Sequence, residues 1–157
     1  MNNILFSRLL EIIEQEKDAF NTLVDLDNTL GLGVTSEEII GFLEFNNTNE
    51  KILESNIDNN IIITEGNILS ILKIIHDLAY YEGEYILYIN KNNRAIITYL
   101  ITKINNIYKE LDLDINIKID YSDNYNRYLN EQVTIVGSDI FVNTACKDFD
   151  TYQMIIV

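Results

Sequence analysis

Short apolar segments that alternate with helical patterns constrain the fold of this chain more than any other feature. Ile61–Thr64 is a run of three isoleucines that ends in threonine, and a helical spacing of apolar residues follows over 68–78. Tyr85–Ile89 and Val133–Val136 are also short and apolar, and a second helical pattern covers Arg94–Leu111. Buried parallel strands have this composition, and helices join them by right-handed crossovers. The pattern predicts an α/β fold with an open, mainly parallel sheet.

The remaining segments complete a Rossmann-like sheet of about five to six strands with helices on both faces. Ile115–Ile119 alternates apolar and polar residues, which is typical of an edge strand, and an amphipathic helix is expected over Asn2–Lys17. We expect one domain, with an N-terminal helix over 1–19 and a Rossmann-like core over 20–157. In such sheets the carboxyl ends of the strands share one crevice. The strand ends expected there are Asp25–Thr29, Thr64–Asn67, Asn90-Lys91 and Gly137–Asn143.

The charge balance disfavours some classes of partner. The chain carries 25 acidic and 11 basic residues, for a formal net charge of −14, and such a surface repels nucleic-acid phosphates. It is compatible with a basic protein partner or with a metal that offsets local charge. A single cysteine, Cys146, leaves no intramolecular disulfide and fits the reducing cytoplasm. No apolar run approaches the roughly 20 residues of a membrane span, so we expect no span.

The segment Phe20–Gly31 contains the strongest candidate for chemistry. If Phe20–Val24 is a strand, Asp25 and Asp27 leave its carboxyl end on the same side, in the ligand-binding crevice. Two carboxylates so close repel each other unless a cation, a proton or a cationic side chain lies between them. The pair is therefore a candidate site for Mg²⁺ and phosphate. The alternative is that the first helix continues through this segment, which would leave two solvated acids and no such site.

Four segments resemble motifs of the haloacid dehalogenase-like phosphohydrolase superfamily, and most closely its small capless members. DLDNTL at Asp25–Leu30 resembles the first motif, and IIIT at Ile61–Thr64 resembles the second. Lys91 follows the next strand, where the third-motif lysine is expected. The segment that begins VTIVGSDIF, Val133–Val157, is similar to the fourth motif and the strand beyond it. The resemblance covers residues 20–157.

This resemblance implies Mg²⁺-dependent hydrolysis of a small phosphorylated molecule through an aspartyl-phosphate. Asp25 would be the nucleophile, and Asp27 would be the general acid and then the base for the hydrolytic water. Thr64 would bind a phosphate oxygen, and Lys91 would neutralise the nucleophile and the phosphate. Mg²⁺ would bridge Asp25, the Asp27 carbonyl and a fourth-motif acid. The only histidine, His76, lies outside these motifs, and we expect it at the surface or its boundary.

Two other functions stay open. The fourth motif has Gly137-Ser138-Asp139 where the family usually has Gly-Asp, so the loop must shift its register to offer Asp139 as the metal ligand. This departure and the net charge favour a non-catalytic acidic interaction protein. Ile61–Ser138 also resembles, more loosely, the cofactor half of aldehyde dehydrogenases, through EGN at Glu65–Asn67 and IVGS at Ile135–Ser138. That resemblance implies a nucleotide-binding fragment.

Overall fold

A computed structural model describes residues 2–29, 33–89 and 94–157 and confirms the α/β class. The described helices are α1 (Asn2–Gln15), α2 (Lys17–Thr29), α3 (Ser36–Phe45), α4 (Ile68–Leu78), α5 (Arg94–Glu110) and α6 (Asp139–Ala145). The described strands are β1 (Ile61–Thr64), β2 (Gly83–Ile89), β3 (Ile115–Asp120), β4 (Gln132–Gly137) and β5 (Thr151–Ile156). Short 3₁₀ turns are formed by Asn126–Tyr128 and Cys146–Asp148.

The five strands form one parallel sheet in the order β3-β2-β1-β4-β5. The chain therefore moves outward from β1 to β3, returns to the other side of β1, and moves outward again. The carboxyl end of β1 lies between those of its neighbours, because Thr64 pairs with Ile89 on one side and with Val136 on the other. This is the Rossmann-like arrangement that the sequence predicts, and its strand order reverses between β1 and β4.

The two faces of the sheet are covered very differently. Side chains alternate along each strand, so Ile62 and Leu87 pack against a core that includes residues of all five helices α1–α5. We call this the helix-rich face. Ile63 and Tyr88 point to the other face, where a smaller core is completed by α6 and Phe149. On this α6 face the described covering is a seven-residue helix, two 3₁₀ turns and a loop.

The strand predicted over Phe20–Val24 is wrong, because this segment belongs to α2. A break at Glu16 separates α1 from α2, and beyond this break the helical alternative is correct. Phe20, Val24 and Asp27 are the buried residues of α2, and their spacing of three to four residues is that of one helix face. Tertiary packing of this face against α5 fixes the helix. The first strand of the sheet begins only at Ile61.

Across the described residues no helix combines the length and the apolar character that crossing a membrane requires.

Candidate ligand-binding site

The two aspartates of the DLDNTL segment are on opposite sides of α2. Residues two apart on an α-helix are separated by about 200° around its axis, and Asp25 is exposed whereas Asp27 is only 1% exposed. The Asp27 carboxylate accepts a hydrogen bond from the backbone N–H of Ile96 at 2.8 Å and a longer one from Ala95 at 3.4 Å. These N–H groups belong to the first turn of α5, which has no intrahelical partners for them. Asp27 therefore caps α5 from a different helix.

The other predicted catalytic and metal residues do not join this pair. Thr64 is buried at the end of β1 on the helix-rich face, and its Oγ1 has no hydrogen-bond partner among the described residues. Asp139 begins α6 on the opposite face, is exposed, and accepts a hydrogen bond from Asn143 Nδ2 at 2.5 Å. Lys91 lies outside the described residues. The described residues thus form no catalytic cluster of the predicted kind.

The predicted Mg²⁺ ligands do not fit a metal ion. Asp25 is exposed on the opposite side of α2 from the buried Asp27, and Asp139 lies on the other face of the sheet. Over residues 2–29, 33–89 and 94–157, no group of three or more His, Cys, Asp and Glu side chains is placed to hold a metal. The phosphohydrolase prediction required both aspartates at one strand end, so it loses the geometry on which it was based.

A different site lies on the α6 face, at the carboxyl ends of β1, β2 and β4. It is a cavity of about 660 Å³ between α6 and the loop that follows β3, within the usual size of small-molecule sites. It opens where the strand order reverses, which is where open α/β sheets bind ligands. We call it the switch-point cavity. Its lining residues are Glu65, Tyr88, Asp123, Asn124, Tyr125, Ser138, Ile140, Phe141, Thr144 and Ala145.

Glu65 is the polar centre of the switch-point cavity. It follows β1 directly and accepts a hydrogen bond from the backbone N–H of Ser138, which follows the neighbouring strand β4, at 2.9 Å. The Ser138 hydroxyl lies 3.5 Å from the second Glu65 oxygen and also accepts from the backbone N–H of Phe141 at 3.3 Å, as the N-cap of α6. A carboxylate offers about four acceptor positions. Glu65 is thus held in place and keeps capacity for a ligand donor.

Gly137, the last residue of β4, allows this close arrangement. A Cβ atom at this position would lie 2.8 Å from Phe141 Cδ2 and 3.2 Å from Glu65 Oε1. The first distance is shorter than carbon atoms tolerate, so the ring and the carboxylate approach the strand only because the side chain is a hydrogen atom.

Replacing Gly137 with alanine is therefore expected to lower the free energy of unfolding by about 1–3 kcal/mol, the usual cost of overpacking. The Phe141 ring would also shift. Gly41 provides the matched control, because a Cβ there meets nothing within 4 Å and the residue lies inside α3. Gly41→Ala should stabilise the protein by up to about 1 kcal/mol. Urea denaturation of both variants checks this, and an equal effect of the two substitutions would contradict the packing described.

Two tyrosines form the aromatic side of the cavity. Burial, with the nearby Asp120 and Asp123, raises the pKa of Tyr88, whose hydroxyl donates to the Ser122 carbonyl at 3.0 Å. Burial and a hydrogen bond to Asp148 raise the pKa of Tyr125 to about 12. Both phenols therefore stay neutral at ordinary pH. Their rings meet edge to face with centroids 5.6 Å apart, which fixes this wall.

The described lining of the cavity has a negative formal charge. Glu65 and Asp123 are carboxylates, and none of the described lining residues is a lysine, arginine or histidine. At the rim Ile140 is 82% exposed, an unusual position for a large apolar side chain on a helix. The arrangement suits a ligand with an apolar body and hydrogen-bond donors, and it disfavours phosphate.

Comparison of the sequence with models of known protein families gives no match. A search among curated proteins also gives no match. The function is therefore argued from the geometry of the chain itself.

Sequence reasoning found part of this site. The predicted convergence of Thr64–Asn67 with Gly137–Asn143 is confirmed by the hydrogen bond between Glu65 and Ser138. It missed Asp123 and Tyr125, which lie in an irregular loop whose only signal is its position after a predicted strand. The path of that loop is set by contacts such as the Tyr125–Asp148 hydrogen bond, 23 residues apart in sequence.

Proposed function

We propose that this protein binds a small organic molecule without phosphate in the switch-point cavity. The observation that carries the proposal is the position of the cavity at the reversal of strand order, with the anchored Glu65 carboxylate inside it. A parallel sheet needs no such opening for its own stability, and this is where folds of this type place their ligands. Strand order is a property of the fold and does not specify a ligand. The class of ligand is therefore inferred from the chemistry of the residues that line the cavity.

The apolar part of the cavity supplies binding free energy. Ile140 and Phe141 on α6 are partly or largely exposed, and Ala145 closes the inner end of that helix. Covering such surface contributes about 25 cal/mol per Å² of apolar area removed from water. A ligand with a flat or compact apolar body would cover these side chains, while its polar group reaches Glu65.

The lining favours binding over covalent catalysis. Among the described lining residues Ser138 has the only aliphatic hydroxyl that lies beside a carboxylate, at 3.5 Å from Glu65. That hydroxyl already accepts the Phe141 N–H as a helix cap, so one of its two lone pairs is directed into the protein. Nucleophilic serines need a base in close hydrogen-bond contact, and Glu65 is instead engaged by the Ser138 backbone.

A blocking substitution tests the proposal. Thr144 is exposed on α6 and lines the cavity, so Thr144→Phe fills part of it without disturbing the core. The chain contains no tryptophan, so indole ligands can be excited selectively at wavelengths where its tyrosines scarcely absorb. We expect saturable binding of tryptamine or tryptophol with a Kd below about 1 mM, and at least about tenfold weaker binding by Thr144→Phe.

Thr102→Phe is the matched control for this test. Thr102 is exposed on α5, on the other face of the sheet, so the same substitution there should leave the affinity unchanged. Absence of saturable binding, or equal binding by Thr144→Phe and the parent protein, would count against the switch-point cavity as a ligand site.

A second candidate is the nucleotide-binding function implied by the aldehyde dehydrogenase resemblance. It is favoured by one observation: Glu65 and Ser138, from the two separate segments of that resemblance, are hydrogen bonded at the switch point. The two candidate functions differ in whether phosphate groups on the ligand strengthen or weaken its binding. Calorimetric titration with NAD and with adenosine distinguishes them. Tighter binding of NAD would support the second candidate. Tighter binding of adenosine would support the first, because the carboxylates of the cavity favour the uncharged nucleoside.

A further inference from the structure

We propose that the ligand of the switch-point cavity is an organic cation, an amine carried on an aromatic or other apolar body. This inference rests on the proposed binding function and specifies the charge of the ligand. It follows from three features of the cavity: its carboxylates, its neutral aromatic side chains, and the bond by which Glu65 occupies a backbone donor of the turn after β4.

The carboxylates attract a cation into a partly enclosed space. Glu65 is half-buried and Asp123 is exposed at the rim, and the described lining offers no basic side chain to neutralise either of them. Glu65 has only the Ser138 N–H and, more distantly, the Ser138 hydroxyl as partners among the described residues. A ligand ammonium has three N–H donors and no acceptor, so it complements the remaining acceptor positions of Glu65. Charge-assisted hydrogen bonds of this kind are stronger than neutral ones.

The aromatic residues of the cavity are compatible with the same charge. Tyr88, Tyr125 and Phe141 line it, and the two phenols are neutral donors whose hydroxyls are already bonded to Ser122 and Asp148. Aromatic rings attract cations through their quadrupole. The tyrosines therefore add no competing positive charge and supply the kind of surface beside which organic ammonium groups bind.

An anionic ligand would meet a carboxylate beside the turn after β4. In α/β folds the turn after a central strand commonly binds phosphate through free backbone N–H groups. Here two of these groups are occupied, because the Ser138 N–H donates to Glu65 and the Phe141 N–H donates to the Ser138 hydroxyl. The carboxylate of Glu65 thus takes a donor that a phosphate would use, and its negative charge disfavours phosphate there.

Three indole compounds that differ only in their terminal group test the charge of the ligand. Tryptamine is cationic, tryptophol is neutral and indole-3-propionate is anionic at pH 7, and all three fluoresce against a protein without tryptophan. With the full chain we expect tryptamine to bind at least about tenfold more tightly than tryptophol, and indole-3-propionate to bind most weakly.

The variant Glu65→Gln tests whether the Glu65 carboxylate is responsible for the preference for tryptamine. The glutamine oxygen can still accept the Ser138 N–H, so the turn is retained while the charge is lost. We expect this variant to lose most of the tenfold preference for tryptamine and to keep its affinity for tryptophol. Glu131→Gln changes the net charge equally at an exposed position outside the cavity and should change neither affinity.

The outcomes separate the two proposals. Tryptophol binding that equals tryptamine binding and is blocked by Thr144→Phe would overturn the cation inference and leave the binding function intact. An equal loss of both affinities in Glu65→Gln would also overturn the inference. Failure of all three compounds to bind would contradict the binding function and the inference together.

Discussion

Replacing Asp77 with alanine is expected to lower the free energy of unfolding by about 3–5 kcal/mol, because several buried groups lose their partner together. Asp77 is 2% exposed, and its carboxylate accepts the backbone N–H groups of Ile52 and Leu53, each at 2.8 Å. It also lies 3.0 Å from His76 Nδ1, while His76 Nε2 lies 2.9 Å from the Thr48 carbonyl. The pair thus fastens the segment between α3 and β1 onto α4.

Urea denaturation measures this effect, and two further variants define it. Asp77→Asn should also be strongly destabilising, because its amide group turns one of the two acceptors into a donor that faces an N–H. Glu54→Gln, at an exposed position in the same segment, should change stability by no more than about 0.5 kcal/mol. If Asp77→Ala lowered the free energy of unfolding no more than Glu54→Gln does, the Asp77 carboxylate would not be the anchor of this segment.

Asp27→Ala is expected to cost about 2–3 kcal/mol, the usual range for losing hydrogen bonds from a charged acceptor to a helix N-terminus. The substitution leaves the N–H groups of Ala95 and Ile96 without the carboxylate that caps them. Asp27→Asn should cost less than Asp27→Ala, because one amide oxygen can still accept the shorter bond from Ile96. Urea denaturation gives each value.

Asp25→Ala is the matched control for Asp27→Ala. Asp25 is exposed on the opposite side of the same helix, and its loss should change stability by no more than about 0.5 kcal/mol. The two aspartates of one short motif are therefore expected to differ by several-fold in their contribution to stability. Equal effects of the two substitutions would contradict the placement of this segment in α2 with only Asp27 buried.

Local pattern was enough to predict most of the fold. The isoleucine run of β1 and the helical periodicity of α4 and α5 are properties of neighbouring residues, and each of these elements forms where it was expected. The N-cap of α3 is equally local, because the Thr35 hydroxyl accepts the N–H of Glu38, three residues further on. The meeting of the β1 and β4 ends followed from parallel topology alone.

The predictions that were wrong concern residues whose structure depends on contacts between distant parts of the chain. The apolar spacing of Phe20 and Val24 suits a short strand or one face of a helix, and local propensity does not decide between them. Packing against α5 decides for the helix, and it includes the hydrogen bond that the Ile96 N–H donates to Asp27, 69 residues away. His76 was expected at the surface or its boundary and is fully buried, because the Thr48 carbonyl and Asp77 satisfy its ring nitrogens.

The most direct test of the ligand site is a titration of the full, isotope-labelled chain with tryptamine, followed by amide chemical shifts in NMR. The switch-point cavity predicts the largest shifts at Glu65, Ser138 and Thr144 and in the loop 123–125, with α2 unchanged. Shifts centred on Asp25 and Asp27, or no saturable shifts around Glu65 and Ser138, would contradict the assignment of the site.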